Sequence, residues 1–152
     1  MLKLMKLLVL SVSFSISSVC SAAELGTSAE AVAMVNKAVA YLAENGREKT
    51  IAEMNKPASA FVDRDLYVVA HDMKGVILVN PVLPRMVGKN ILEIKDVDGK
   101  AFVKDRLAML AQANSGWNDF KWPNSVTNKV DIRSTYFTRV DDIVFTCGIL
   151  KK

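Results

Sequence analysis

A side-chain nucleophile needs a base within hydrogen-bond reach. This 152-residue chain carries one histidine, His71, and two cysteines, Cys20 and Cys147. No G-x-S-x-G, H-E-x-x-H or G-x-x-x-x-G-K-[ST] motif is present. His71 ends one strand pattern and Cys147 lies in another, so a Cys–His pair is the one route to catalysis the sequence leaves open, and no enzyme is expected. With so few soft ligands, neither a zinc finger nor an iron–sulfur cluster is expected, and no cofactor is implied. Asp96-x-Asp98-Gly99 hints at a calcium loop. Counted from Asp96, however, the glycine stands fourth and Leu107 takes the twelfth place, where Glu is needed. An ordinary turn accounts for it.

Binding chemistry is better represented. Trp117-x-x-Phe120-x-Trp122 puts three large aromatics in one strand pattern. Period two places Phe120 and Trp122 together and Trp117 on the other side. Such a pair is either core packing or the wall of a small-molecule pocket. Arg133 falls mid-strand in the next segment, between Ile132 and Ser134. Its planar fork matches a carboxylate bidentately. The competing reading is a solvated strand face. Tyr136 could add a phenolic donor, but simple alternation puts it opposite Arg133.

These residues need elements to position them. Thr27-Ser28-Ala29-Glu30 is a capping-box pattern. Val32, Val35, Val39 and Leu42 then recur at helical spacing, which predicts a helix over 28–45 stopped by Asn45-Gly46. A second short helix is predicted from Arg47 to Asn55, before Pro57. From Asp65 the pattern turns β-branched and aromatic. Strands 66–71 and 76–80 flank the Asp72-Met73-Lys74-Gly75 turn and predict a hairpin. Residues 81–90 read as a loop. A helix follows, with Phe102, Val103, Leu107, Leu110 and Ala111 on one face and Gly116 closing it. Strands over 117–122, 130–139 and 143–150 complete an antiparallel meander. The fold class is therefore α+β: a long N-terminal helix packed on a PAS-like antiparallel sheet of about five strands, whose other face can curve around a small ligand.

Residues 1–23 read as a signal peptide. Lys3 and Lys6 precede an apolar run, and Ser21-Ala22-Ala23 supplies small residues before a cleavage site. A lipidated Cys20 is the lesser alternative. Residues 24–152 then form one domain, with 18 cations against 16 acids. That balance gives no electrostatic footprint for nucleic acid. Cys147 is left alone and is expected to be a small buried hydrophobe. The expected location is the periplasm, or outside the cell.

The order of several segments is more specific than any one of them. Lys37-Ala38-Val39-Ala40-Tyr41-Leu42-x-x-Asn45-Gly46 precedes Phe61-Val62-Asp63-x-Asp65-Leu66-Tyr67-Val68. Val87-Gly88-Lys89-Asn90 and Lys95-Asp96-x-Asp98-Gly99-Lys100-x-Phe102-Val103 follow. Ser115-Gly116-Trp117-x-x-Phe120-x-Trp122-Pro123-Asn124, Ser134-Thr135-Tyr136 and Cys147-Gly148-Ile149 complete the series. Over about residues 31–150 this resembles the single Cache domain, type 2, of bacterial extracytoplasmic sensors. The resemblance implies a PAS-like sheet with a small-ligand pocket. It also implies a ligand among the short carboxylic acids, such as acetate, propionate, pyruvate or lactate. Carried over residue by residue, it implies binding roles for Phe120, Trp122, Arg133 and Tyr136, with Tyr67 and His71 on the neighbouring hairpin and Asn80 at its far end. The family often has Tyr at Phe120, Lys at Arg133 and His at Asn80. No transmembrane helix or output domain follows Leu150, so a free-standing binding protein is expected. It would serve sensing, reporting to a membrane-bound sensor kinase or chemoreceptor. A protein-docking module without a small ligand is the alternative.

Overall fold

The structure, a computed structural model, describes residues 25–124 and 128–151. The signal-peptide reading of residues 1–23, Cys20 included, lies outside the described residues. Helix α1 runs Ser28–Met54 and opens on the predicted capping box. The Thr27 hydroxyl accepts from the Glu30 amide at 3.3 Å, and the Glu30 carboxylate accepts from the Thr27 amide at 2.8 Å. The helix is kinked where two were expected. Gly46 has φ 76° and ψ 170°, outside helical space, and such angles suit only glycine.

The strands are β1 (Val62–Asp63), β2 (Leu66–Asp72), β3 (Ile77–Val79), β4 (Ser115–Asn124), β5 (Lys129–Val140) and β6 (Ile143–Lys151), with helix α2 (Phe102–Met109) between β3 and β4. They form one sheet of six strands in the order β1-β2-β6-β5-β4, with β3 also on β2. The pairings between these strands are all antiparallel. β1 was not anticipated, because two residues are too short for a period-two signal. The turn at Gly75 was anticipated: its φ is 80°. Gly116 does not close α2. The helix ends at Met109, and Gly116 lies within β4. There a Cβ would meet the Phe137 ring at 2.9 Å, so its role is close packing rather than capping.

The sheet separates two cores. On one face Ala31, Val35, Ala38 and Met54 of α1 pack on Leu66, Val68 and Ala70 of β2 and on Ile143, Phe145 and Cys147 of β6. On the other face α2 and the preceding loop close two smaller clusters. One joins Phe102 and Val103 to Ile77 and Ile91, and the other joins Leu110 to Phe137 and Val144. The outer edge of β4 is covered by the 96–100 loop. The Val97 amide donates to the Lys121 carbonyl at 3.3 Å, and the Asp96 carboxylate accepts from the Lys121 amide at 3.0 Å. Paired backbone groups at that edge deter association with other strands.

Candidate functional site

The α2 face of the sheet follows from alternation. β4 contributes Gly116, Asn118, Phe120 and Trp122. β5 contributes Arg133, Thr135 and Phe137, paired as Gly116–Phe137, Asn118–Thr135 and Phe120–Arg133. β6 adds Val144, Thr146, Gly148 and Leu150, with Gly148 opposite Thr135 and Leu150 opposite Arg133. β2 adds Tyr67, Val69 and His71.

Helix α2 lays Phe102, Val103, Arg106 and Leu110 against this face. Positions 102, 106 and 110 are one turn apart, so they share a stripe. Arg106 therefore sits between the two apolar clusters, only 4% exposed. Its Nε donates to Asn118 Oδ1 at 3.3 Å, and its Nη1 lies 3.2 Å from His71 Nε2. The guanidinium also stands 5.8 Å from the centre of the Phe137 ring. No carboxylate pairs with it, and its Nη2 has no partner among the described residues. Burial lowers its pKa to about 10, so it remains a cation at neutral pH. A buried charge without a counter-charge is costly. At this position it is held only by neutral groups.

Those neutral groups are themselves fixed. His71 Nδ1 lies 2.8 Å from the Asp72 carbonyl. A carbonyl can only accept, so Nδ1 carries the proton and Nε2 turns its lone pair to Arg106. Burial first, and the charge of Arg106 second, push the His71 pKa down to about 4. The ring is therefore neutral at pH 7. Asn118 donates its Nδ2 to the Phe102 carbonyl at 2.9 Å, which aims its oxygen at Arg106. The result is a guanidinium with two edges held and one nitrogen free.

The residues singled out from the sequence are distributed as follows. Phe120 stacks on Phe102, with ring centres 4.1 Å apart, and both meet Trp122 edge-on. Phe120 also packs into the cluster of Ile77 and Ile91. Trp122 is 37% exposed, at the rim. Arg133 lies beside Phe120 on the same face, half-buried, with no hydrogen bond or ion pair among the described residues. Tyr67 and His71 share this face from β2. Tyr136 does not: it lies on the α1 face against Trp117, ring centres 5.3 Å apart, as simple alternation requires. Asn80 is buried and structural in its contacts. Its Oδ1 accepts from the Leu83 amide at 2.8 Å, and its own amide donates to Asn55 Oδ1 at 3.1 Å. Cys147 is on the α1 face, opposite His71, and burial pushes its thiol up to about 11. The two form no nucleophile–base pair. Two surface grooves flank α1, one at the Gly46 kink beside Asp141 and Asp142, the other beside Ala33 and Ala60. Both lie across the sheet from Arg106, and neither holds an unpaired buried charge.

Arg106 and Asn118 were missed by sequence reading. The signal was present: a cation one turn from Phe102 and one turn from Leu110 interrupts an apolar stripe. Among the described residues no three His, Cys, Asp or Glu side chains gather to hold a metal ion. Nor is any described helix long and apolar enough to cross a membrane.

A long helix on one face of an antiparallel sheet and a short helix over a polar layer on the other make a PAS-like fold. The model of the family Single Cache domain 2 matches residues 8–146, and the chain belongs to that family. Among solved structures it is similar to a methyl-accepting chemotaxis protein from Vibrio parahaemolyticus, at 24% identity and a TM-score of 0.65, over 80% of this chain and 86% of that one. A periplasmic sensor domain of a chemotaxis protein aligns at 16% identity and a TM-score of 0.61, over 82% and 90% of the two chains. A Cache chemosensory domain described for carboxylic acid recognition aligns at 17% identity and a TM-score of 0.61, over 82% and 88%. Curated proteins gave no match.

Proposed function

We propose that this chain is an extracytoplasmic sensing module that binds a short-chain carboxylic acid. The observation that carries the reading is Arg106: a buried cation with neutral partners and one free nitrogen. A carboxylate arriving there supplies the missing counter-charge, and charge-assisted hydrogen bonds are the strong ones. His71 and Asn118 hold the guanidinium in place before the ligand arrives, which lowers the entropy cost of binding. Thr135, Gly148 and Tyr67 form the floor on the strand side. Phe120 and Trp122 give the alkyl part of the acid an apolar wall. Arg133 stands one strand row further on. Residues 1–23 act as an export signal in this reading, and the bound state is read by a membrane-bound kinase or chemoreceptor.

A thermal-shift panel of acetate, propionate, pyruvate and lactate tests the reading. A ligand at 100 times its dissociation constant stabilises by about 2.7 kcal/mol, which is several degrees for a domain of this size. Stabilisation by acids and not by the corresponding amides or alcohols is expected. No shift with any acid at millimolar concentration counts against it.

One observation favours a second reading, docking of a protein partner. Val82, Leu83 and Val87 are 40–48% exposed together on the loop after β3. Exposed apolar clusters mark interaction surfaces. Substituting all three with Ser leaves acid binding intact and removes partner capture if docking is their role.

A further inference from the structure

The α2 face carries a second cation that enters no ion pair among the described residues. Arg133 is half-buried and makes no hydrogen bond or ion pair among the described residues. Several other cations outside the site are paired: Arg47 with Asp142, Arg64 with Glu30, Lys104 with Glu93, Lys121 with Asp98 and Lys151 with Asp119. The sheet register relates the two arginines. Arg106 is bonded to Asn118, whose cross-strand partner is Thr135. Arg133 is two residues further along the same strand face, beside Phe120, which is about 6.6 Å of strand. In the row of Asn118 and Thr135 the neighbouring strand carries a glycine. Gly148 stands opposite Thr135, and a Cβ there would come within 3.1 Å of the Thr135 hydroxyl oxygen. Tyr67, Phe120, Gly148 and Leu150 around it are all half-buried, so solvent reaches this part of the face. Asp131 lies two residues from Arg133 on the same strand face, opposite Trp122, and forms no ion pair with it, while Asp119 accepts from Ser134 Oγ and from Lys151 Nζ, both at 2.6 Å.

We infer that the preferred ligand carries two anionic groups, a short dicarboxylate, with one carboxylate at Arg106 and the other at Arg133. This rests on the carboxylic acid reading above and adds its charge and length. Two cations on one face repel each other when the site is empty. A monocarboxylate relieves one of them, whereas a dicarboxylate of matched length relieves both. Arg106 is then the anchor common to all acids, and Arg133 is the residue that discriminates between them.

Calorimetric titration with succinate, malonate and glutarate beside butyrate and propionate tests this on the whole chain. The expected result is at least tenfold tighter binding of one dicarboxylate than of the monocarboxylate of equal length. Arg133→Gln should erase that preference, and Arg133→Lys should restore much of it. An unaltered thermal midpoint without ligand shows that the variant is folded. Two results overturn the inference but leave the carboxylic acid reading standing. One is equal or weaker binding of every dicarboxylate. The other is an Arg133→Gln loss that falls equally on both classes, which would place both arginines on a single carboxylate. Binding of no acid at all overturns both.

Discussion

At the scale of single residues, the account turns on Arg106, His71 and Asn118. Arg106→Met removes the counter-charge for the ligand, and acid-induced stabilisation should vanish in a thermal-shift assay. Arg106→Lys keeps the charge but loses the fork, so binding should weaken by one to two orders of magnitude. Wild-type affinity in the Met variant would exclude Arg106 as the anchor. His71 makes a separate prediction through pH. Its folded pKa is about 4, against an ordinary value of 6.5. The unfolded chain therefore binds the proton more readily between those values. The stability that neutral His71 gives is present above pH 6.5 and is lost as pH falls toward 4, at most roughly 3 kcal/mol for a shift of this size. Urea melts from pH 7 to 4.5 should show this fall, and His71→Gln should flatten it. A fall of the same size in the variant would assign it elsewhere. The lowered carboxylates cannot mimic it, because Glu30, held down by the Thr27 backbone and side-chain hydrogen bonds, titrates from 4.5 toward about 2.

At the scale of elements, local sequence signals were sufficient where one element satisfied its own requirements. The capping box at Thr27, the hairpin around Gly75 and the three closing strands are all where their patterns put them. The signal failed where the requirement was tertiary. Gly116 reads as a helix stop but is set by the Phe137 ring across the strand pair. The apolar face expected for α2 leaves Arg106 out, and only its burial against His71 and Asn118 shows its place. Phe120 and Trp122 share a face because strand alternation is strict, and the register sets Arg133 beside Phe120. Tyr136 was assigned to the same site from the family resemblance, and the register puts it across the sheet. The kink in α1 offers its own test. A Cβ at Gly46 meets nothing within 4 Å, so only its backbone angles matter. Gly46→Ala should destabilise the fold by about 1–3 kcal/mol in denaturant melts. An unchanged or raised midpoint would mean that α1 tolerates a straight path.

At the scale of the whole molecule, the sheet is a partition. The α1 face holds the larger apolar core, including Cys147, and supplies most of the burial that drives folding. The α2 face has two smaller clusters separated by a polar layer, and that layer is where charge is left uncompensated. A ligand binding there would link α2, β2, β4 and β5 through Arg106. Strands β2 to β6 also carry residues of the α1 core at alternate positions. The most direct test of the central claim is a crystal structure with a stabilising acid bound. The account predicts a carboxylate oxygen within about 2.7–2.9 Å of Arg106 Nη2, with the rest of the acid over Thr135 and Gly148. An acid seated in a groove beside α1, with Arg106 still bonded only to His71 and Asn118, would contradict it.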